Sequence, residues 1–284
     1  ERLETYEFLQ FAQKAEISML TVDEAHCISQ WGQDFRPSYL KIVQFIRHLD
    51  KRPVISAFTA TATENVKEDI VCVLGLREPY VLVTGFDRKN LYFAVETPAG
   101  KDRYVRDYIR EHAQESGIIY CATRKNVDRL YDRLLAEGVP AARYHAGLDS
   151  EERRQSQENF IYDKSPVMIA TNAFGMGIDK SNVRYVIHYN MPQSLENYYQ
   201  EAGRAGRDGE RAECILLYSA QDVMINRFLL DNKEQKGEYT REELDAIGER
   251  DEERLRSMIY YCLTTDCLRR YILRYFGEKG MESC

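Results

Sequence analysis

No run of eighteen or more apolar residues occurs in this chain of 284 residues, which excludes a membrane-spanning helix. The opening residues Glu1, Arg2, Leu3 and Glu4 lack the charged start and apolar core of a signal peptide. A soluble intracellular protein with no membrane partner is expected. Paired cysteines are missing too. The seven cysteines, Cys27, Cys72, Cys121, Cys214, Cys262, Cys267 and Cys284, are scattered, odd in number and form no CxxC. That excludes an ordinary disulfide framework and suits reduced, buried thiols, with Cys72 and Cys121 inside apolar runs. Positive charge is also short: 39 Lys and Arg face 46 Asp and Glu, a formal charge of −7. Such a molecule is not a basic body that grips nucleic acid nonspecifically, so any such site must be a local patch. Acid is concentrated between Glu238 and Glu253, the pattern of a solvated helix face.

What the chain has is a long alternation of short apolar runs with helical patterns. Glu16–Val22, Pro53–Ala60 and Tyr80–Gly85 read as buried strands, with a helix over Thr63–Leu76 between the last two. A second series follows: helix Lys101–Glu115, strand Gly117–Thr123, helix Lys125–Glu137, strand Ala141–Ala146 and helix Asp149–Tyr162. Strands Pro166–Ala173, Tyr185–Asn190 and Cys214–Ser219 complete it, with helix Ser194–Ala205 before the last. Asp149 with Glu152 makes a capping box. Apolar strands alternating with helices predict an α/β fold with parallel sheets covered on both faces, and ligands at the carboxyl ends of the strands. The polar stretch Phe86–Asn90 is the candidate linker between the two series. After Ser219 only helices are expected: Ala220–Asn232, Arg241–Thr264 and Thr265–Phe276.

Asp23 and Glu24 follow the strand "SMLTV" directly, so both carboxylates should emerge at its carboxyl edge. A pair placed there suits magnesium on one acid and water activated by the other, the chemistry of phosphoryl transfer; a helix start capped by two acids is the plainer alternative. His26 is close enough to relay this site to a neighbouring loop. The loop that follows, with Gln30, Trp31, Phe35 and Arg36, holds the only tryptophan in a polar, glycine-containing setting. Aromatic faces beside phosphate donors form the kind of track on which single-stranded bases stack.

Further along stand "SAFTATAT" (Ser56–Thr63), "ATNAFGMGIDK" (Ala170–Lys180) and "QEAGRAGRDG" (Gln200–Gly209), in that order. With "DEAHCISQWGQDFRPSY", "GIIYCATRKNVD", "YHAGLDSEER" and "TTDCLRRYILRYFGE", the sequence resembles the superfamily 2 helicases with a DEAH-type motif II, and within them the RecQ family, over essentially its whole length. The resemblance implies two RecA-like lobes with ATP between them, the first partial, and then a helical zinc-binding subdomain, also partial. The expected limits are 1–87, 88–219 and 220–284.

By the same resemblance the protein is an ATP-dependent DNA helicase moving 3′→5′ on single-stranded DNA and opening duplex DNA, in repair or recombination, and it works as a monomer. It would sit at the nucleoid or in the cytoplasm of a bacterium, or in a nucleus. Asp23 would hold Mg2+ through water and Glu24 would position the attacking water. Arg207 would be the arginine finger with Arg204 its partner, Gln200 would belong to the same catalytic motif, and Asp179 would contact nucleotide or the opposite lobe. Charge developing on a γ-phosphate needs such cations, and Gly203, Gly206 and Gly209 interrupt a helix where a plain basic helix end would continue one. Thr59 and Thr61 would couple DNA occupancy to the ATP site, with Trp31, Phe35, Arg36 and Gln30 as the DNA-sensing loop. Arg124, His145 and Thr171 stand at other strand ends, where hydroxyls and backbone NH groups hold phosphates. One departure from the family is Gln33, where many members carry histidine.

Cys267, in "TTDCLRRY", matches the family's first zinc ligand and Cys284 the second, whereas Cys262 after "MIYY" reads as a core residue. The remaining two cysteines of the family's Zn2+ site have no counterpart here, nor does its phosphate loop; "AGKDR" lacks the glycine spacing and the Ser or Thr. These gaps imply a segment of a longer enzyme that does not hydrolyse ATP in isolation. A catalytically silent DNA-binding scaffold and an RNA helicase are the competing readings. The intact Asp23, Glu24, Arg204 and Arg207 argue against the first, and the aromatic loop and zinc-type segment against the second.

Overall fold

The computed structural model describes residues 2–29, 35–175, 179–232 and 241–278. The described residues within Glu1–Phe86, Asn232–Glu253 and Leu273–Lys279 form one compact unit, and those within Asp87–Asp231 and Arg254–Ile272 a second.

In the first unit, helix α1 (Tyr6–Lys14) leads to strand β1 (Met19–Val22), a short 3-10 turn over Ala25–Ile28, helix α2 (Pro37–His48), strand β2 (Val54–Ala57) and helix α3 (Glu64–Val73). The two strands pair in parallel, Met19 opposite Val54 through Val22 opposite Ala57. Val66, Ile70 and Leu74 recur every fourth residue, so α3 and its end present one apolar stripe to the core, where they meet Val22, Ala25, Ile28 and Ile46. Pro37 opens α2, where its missing NH costs nothing. Gly75 ends the α3 segment at φ 59, and Arg52 closes the turn by donating to the carbonyls of Leu74 and Gly75 at 2.8 and 2.9 Å.

The expected strand at Tyr80–Gly85 does not form. Its residues carry no ladder, and Tyr80, Val81, Leu82 and Val83 are all exposed. β-branched and aromatic composition favours a strand only where a neighbouring edge supplies hydrogen bonds, and the sheet of this unit among the described residues is β1–β2 alone. Cys72, expected to be buried, is exposed. It sits on the solvent side of α3, two residues from Ile70 and so off the apolar stripe.

The second unit contains strand β3 (Leu91–Glu96), helix α4 (Lys101–Glu111), β4 (Ser116–Tyr120), α5 (Arg124–Ala136), β5 (Ala141–Tyr144), α6 (Ser150–Ile161), β6 (Val167–Ala170), β7 (Val183–His188), α7 (Leu195–Ala202), β8 (Ala212–Leu217) and α8 (Ala220–Asp231). Helices α9 (Arg241–Leu263) and α10 (Leu268–Tyr275) follow. Six parallel strands run in the order β3-β8-β7-β4-β6-β5. The inner strands β4, β6 and β7 are buried on both faces, as their unbroken apolar runs require. Residues 91–96 were not expected as a strand. Leu91–Val95 is an apolar run compatible with a strand, and it pairs as an edge to β8 alone, with Leu91 buried and Tyr92 exposed.

One local reading needs correction. Asp149 caps α6 by accepting from Glu152 N at 2.8 Å, but the Glu152 carboxylate pairs with Arg143 at 2.9 Å, so the box is only half made. The polar stretch Phe86–Asn90 contains the point, between Phe86 and Asp87, where the two units divide. Phe86 NH donates to Glu278 at 2.7 Å and its ring stacks on Phe276, while the residues after it are tied into the second unit. Cys262 is buried as expected of a core residue, and the acids Asp245 and Glu249 lie on the exposed side of α9.

Candidate functional site

In the first unit, β1 ends at Val22 and delivers Asp23 and Glu24 to the carboxyl edge of its sheet. Glu24 is held at φ 49, ψ 43, the left-handed region that costs a side-chain-bearing residue about 1–2 kcal/mol. Two backbone bonds extend the β1–β2 ladder past the strand ends and impose it: Phe58 NH to Val22 O and Ala25 NH to Phe58 O, both 2.8 Å. Such strain persists where the surroundings over-determine it. One Asp23 oxygen accepts from Glu24 NH at 2.8 Å, and Asp23 itself faces solvent.

His26 is buried directly behind this pair. Its Nδ1 lies 3.3 Å from Glu24 Oε2 and 3.0 Å from Thr59 Oγ1. The Thr59 hydroxyl donates to Thr61 O at 3.2 Å, so His26 Nδ1–H is the donor toward Thr59. The carboxylate after β1 and the threonine loop after β2 are thereby joined through one imidazole. Sequence reasoning named these residues, and the structure brings Glu24, His26, Thr59 and Thr61 together. It did not name Ser29, which donates to Asp69 at 2.7 Å, or Tyr39, whose hydroxyl reaches Asp23 O at 3.4 Å. Burial, with the Cys27, Glu24 and Asp23 charges, pushes the Tyr39 hydroxyl up from its ordinary value, against Arg36. Phe35 is half-buried and Arg36 exposed at the start of α2, while Gln30 and Trp31 lie outside the described residues.

In the second unit, Arg124 follows β4, Thr171 follows β6 and His145 follows β5, three neighbouring strands, so all three stand on one carboxyl edge. Arg124 and Lys125 are exposed and form no ion pair among the described residues, which leaves their charge available to an anion. His145 is spoken for: Nδ1 accepts from Gly147 NH at 3.1 Å, so Nε2–H donates to Asp128 at 3.1 Å. Thr171 is buried and its hydroxyl accepts from Ala173 NH at 3.4 Å.

The glycine-punctuated loop after α7 carries the two arginines. Arg204 Nη1 donates to Gly175 O at 2.5 Å, at the end of the β6 loop. Arg207 lies 3.5 Å from Asp179, whose side chain is 92% exposed. Arg204 is thus turned inward and Arg207 outward, a division of labour the sequence did not show. Gln200, on α7, is half-buried. Beneath the loop, buried His188 Nε2 and Glu201 Oε2 are 2.8 Å apart, and the Tyr120 ring stacks on His188. Burial pushes the Tyr120 hydroxyl well up, with Arg204 opposing, so it stays protonated and donates to Phe174 O at 3.1 Å. A cavity of about 90 Å³ opens beside this pair, lined by Tyr120, His188, Asn190, Asn197 and Asn226 among others. Tyr120 lies within "GIIYCATRKNVD" and Glu201 within "QEAGRAGRDG", but sequence reasoning singled out neither of them, nor His188, Asn190, Asn197 or Asn226.

The metal expectations divide. A solvent-facing carboxylate at a strand end, with one oxygen free of the Glu24 NH, fits an ion that keeps most of its waters, as magnesium does. Zinc is not accommodated by the described residues, where no three His, Cys, Asp or Glu side chains are grouped to hold a metal. Cys267 Sγ accepts from Arg270 NH at 3.4 Å, and Cys284 lies outside the described residues. No described helix is long and apolar enough to cross a membrane.

This architecture has close relatives in fold. The structure of yeast (S. cerevisiae) Dbp5 bound to RNA and ADP BeF3 superposes with a TM-score of 0.61 at 22% identity, over 87% of this chain and 67% of that one. That likeness is one of fold: parallel-sheet, RecA-like units. Family models sharpen this: DEAD/DEAH box helicase matches residues 3–69, helicase conserved C-terminal domain residues 100–209 and RecQ zinc-binding residues 220–284. The chain is 48% identical to the ATP-dependent DNA helicase RecQ of Bacillus subtilis over 284 residues, all of this chain and 46% of that protein. It is 39% identical to its counterpart from Pasteurella multocida over 287 residues, covering 43% of that protein. The chain belongs to the RecQ family, and it spans a little under half the length of these relatives.

Proposed function

We propose that this chain is the motor part of an ATP-dependent DNA helicase that moves 3′→5′ on single-stranded DNA and separates duplexes at the nucleoid or in the nucleus. Domain limits of 1–87, 88–219 and 220–284 fit that reading. The observation that carries it is the Glu24–His26–Thr59 chain at the carboxyl end of β1. A carboxylate wired to a second loop serves a cycle in which hydrolysis answers to something else, here DNA; a silent scaffold has no use for it.

Glu24 accepts the proton of, and orients, the attacking water. Asp23 holds magnesium through water, and the ion neutralises charge on the phosphates when bound. Arg207, with its exposed partner Asp179, is the finger that meets charge developing on the γ-phosphate, and Arg204 fixes the loop that carries it. Thr59 and Thr61 pass DNA occupancy to Glu24 through His26. Trp31, Phe35, Arg36 and Gln30 sense the strand, and Arg124 holds a phosphate of it. Zinc is assigned to Cys267 and Cys284, with a structural role.

Strand displacement by the full-length protein tests the proposal, using duplex DNA with a 3′ tail, with a 5′ tail, and duplex RNA with a 3′ tail. Unwinding of the 3′-tailed DNA alone is expected, and Trp31→Ala should reduce it by weakening the response to DNA. Preference for the RNA substrate would favour an RNA helicase. No ATP-driven unwinding of any substrate would favour the scaffold.

A further inference from the structure

The Arg204–Arg207 loop is held by a guanidinium from a distant part of the sequence. Arg88 Nη1 donates to Gly203 O at 3.4 Å, and its Nη2 donates to Ala205 O at 3.1 Å and Gly206 O at 2.8 Å. These carbonyls flank Arg204 and immediately precede Arg207. Asn90 adds a second clamp: its Nδ2 donates to Gly206 O at 2.8 Å and Glu210 O at 2.9 Å, while its Oδ1 accepts from Arg88 Nε at 3.3 Å. Gly206 must be glycine here, since φ is 56 and a Cβ would meet Asn90 Nδ2 at 2.5 Å. Arg88 forms no ion pair among the described residues, so its donors go to the loop. Its own backbone is fixed by Arg269, two residues past Cys267 in α10. Arg269 donates to Arg88 O at 2.6 Å and to Leu91 O, and pairs with Asp87 at 3.0 Å.

We infer that Arg88, with Asn90, is a positioning residue for the Arg204–Arg207 loop, and that Arg269 transmits the state of the zinc-type helical segment to that loop through Asp87–Leu91. The inference rests on the reading that the loop serves ATP hydrolysis. A cation on the carbonyls just past the end of α7 also complements a helix C-terminus, and that alone would be structural. The two roles separate in a cycle of variants: a residue that acts through Arg207 has nothing left to lose once Arg207 is changed.

The full-length protein, saturated with single-stranded DNA, is measured under single-turnover conditions for hydrolysis rate and ATP affinity, with unfolding midpoint and zinc content alongside. Arg88→Ala is expected to lower the rate about tenfold to a hundredfold, the effect of misplacing a catalytic group by about 1 Å, with DNA binding unchanged. Combined with Arg207→Lys it should lower the rate no further. Arg269→Ala should reproduce the loss with zinc retained. Where Arg88→Ala does not fold, Asn90→Ala gives the same reading, a smaller loss that vanishes beside Arg207→Lys. An unchanged rate in the folded variants, or losses that multiply with Arg207→Lys, would overturn the inference; so would an Arg269→Ala loss that merely follows loss of zinc. Wild-type protein that hydrolyses no ATP would instead reject the function on which the inference stands, before any variant is compared.

Discussion

Replacing Gly175 by alanine probes how closely the arginine loop is fitted to the β6 loop. A Cβ at residue 175 would stand 2.2 Å from Arg204 Cζ, 2.3 Å from Nη2 and 2.5 Å from Nε, where ordinary contact begins at 3.4 Å. The guanidinium must therefore retreat by roughly 1 Å. The backbone adds its own penalty, because φ at Gly175 is 137 and side-chain-bearing residues held in such regions cost about 1–3 kcal/mol. Arg204 is a long flexible side chain that can find new acceptors, so the stability loss should stay near that backbone figure. Catalysis should suffer more, since displacement by about 1 Å commonly costs on the order of a hundredfold in rate. The assay is DNA-stimulated ATP hydrolysis by the full-length Gly175→Ala protein beside its urea unfolding curve. A small shift in unfolding with a large fall in kcat is expected. Wild-type kcat would refute the idea that Arg204 must sit against Gly175 O.

Three further outcomes follow from the geometry. Thr59→Val removes the acceptor of His26 Nδ1–H and should lower the stimulation of hydrolysis by single-stranded DNA by about tenfold while leaving slow basal turnover in place, consistent with one lost hydrogen bond to a functional group; equal losses with and without DNA would contradict the relay. Gly117→Ala places a Cβ 1.9 Å from the Tyr185 ring, which is fully buried against Tyr108, so urea unfolding should show a loss of about 1–3 kcal/mol or more, and a silent substitution would mean the β4–β7 packing is looser than described. Hydrogen bonds from Lys180 and Ser116 hold the Asp163 carboxyl below its ordinary value. A depressed carboxylate stabilises the fold above its unfolded pKa and stops doing so as pH falls through the folded value. Asp163→Asn should therefore lower stability at neutral pH by about 1 kcal/mol, the exposed carboxylate being partly screened, and should flatten the loss below about pH 4. Parallel wild-type and variant curves down to pH 3 would rule that linkage out.

Several of the strands legible in the sequence are buried on both faces, while β1 and β2, equally legible from their apolar runs, are only partly covered. Residues 117–120, 167–170 and 185–188 carry unbroken apolar runs because sheet neighbours flank them on either side. Strand 91–96 was overlooked although Leu91–Val95 is an apolar run, and Tyr80–Val83 misled because composition alone cannot supply a partner strand. Site residues showed the same division. Asp23 and Glu24 were legible from their place directly after an apolar strand, and Arg204 and Arg207 from the glycines spaced around them. Arg88 and Asn90 were not, because what they contribute is a contact to backbone carbonyls far away in sequence, which leaves no local pattern to read.

The central claim is that Glu24 serves ATP hydrolysis under the control of DNA. Hydrolysis by the full-length protein with and without single-stranded DNA, wild type beside Glu24→Gln, measures it most directly. The account predicts strong stimulation by DNA in the wild type, and in Glu24→Gln a loss of turnover on the order of a thousandfold or more with DNA binding retained. Glu24→Gln protein that hydrolyses ATP at the wild-type rate, or a wild type indifferent to DNA, would contradict it.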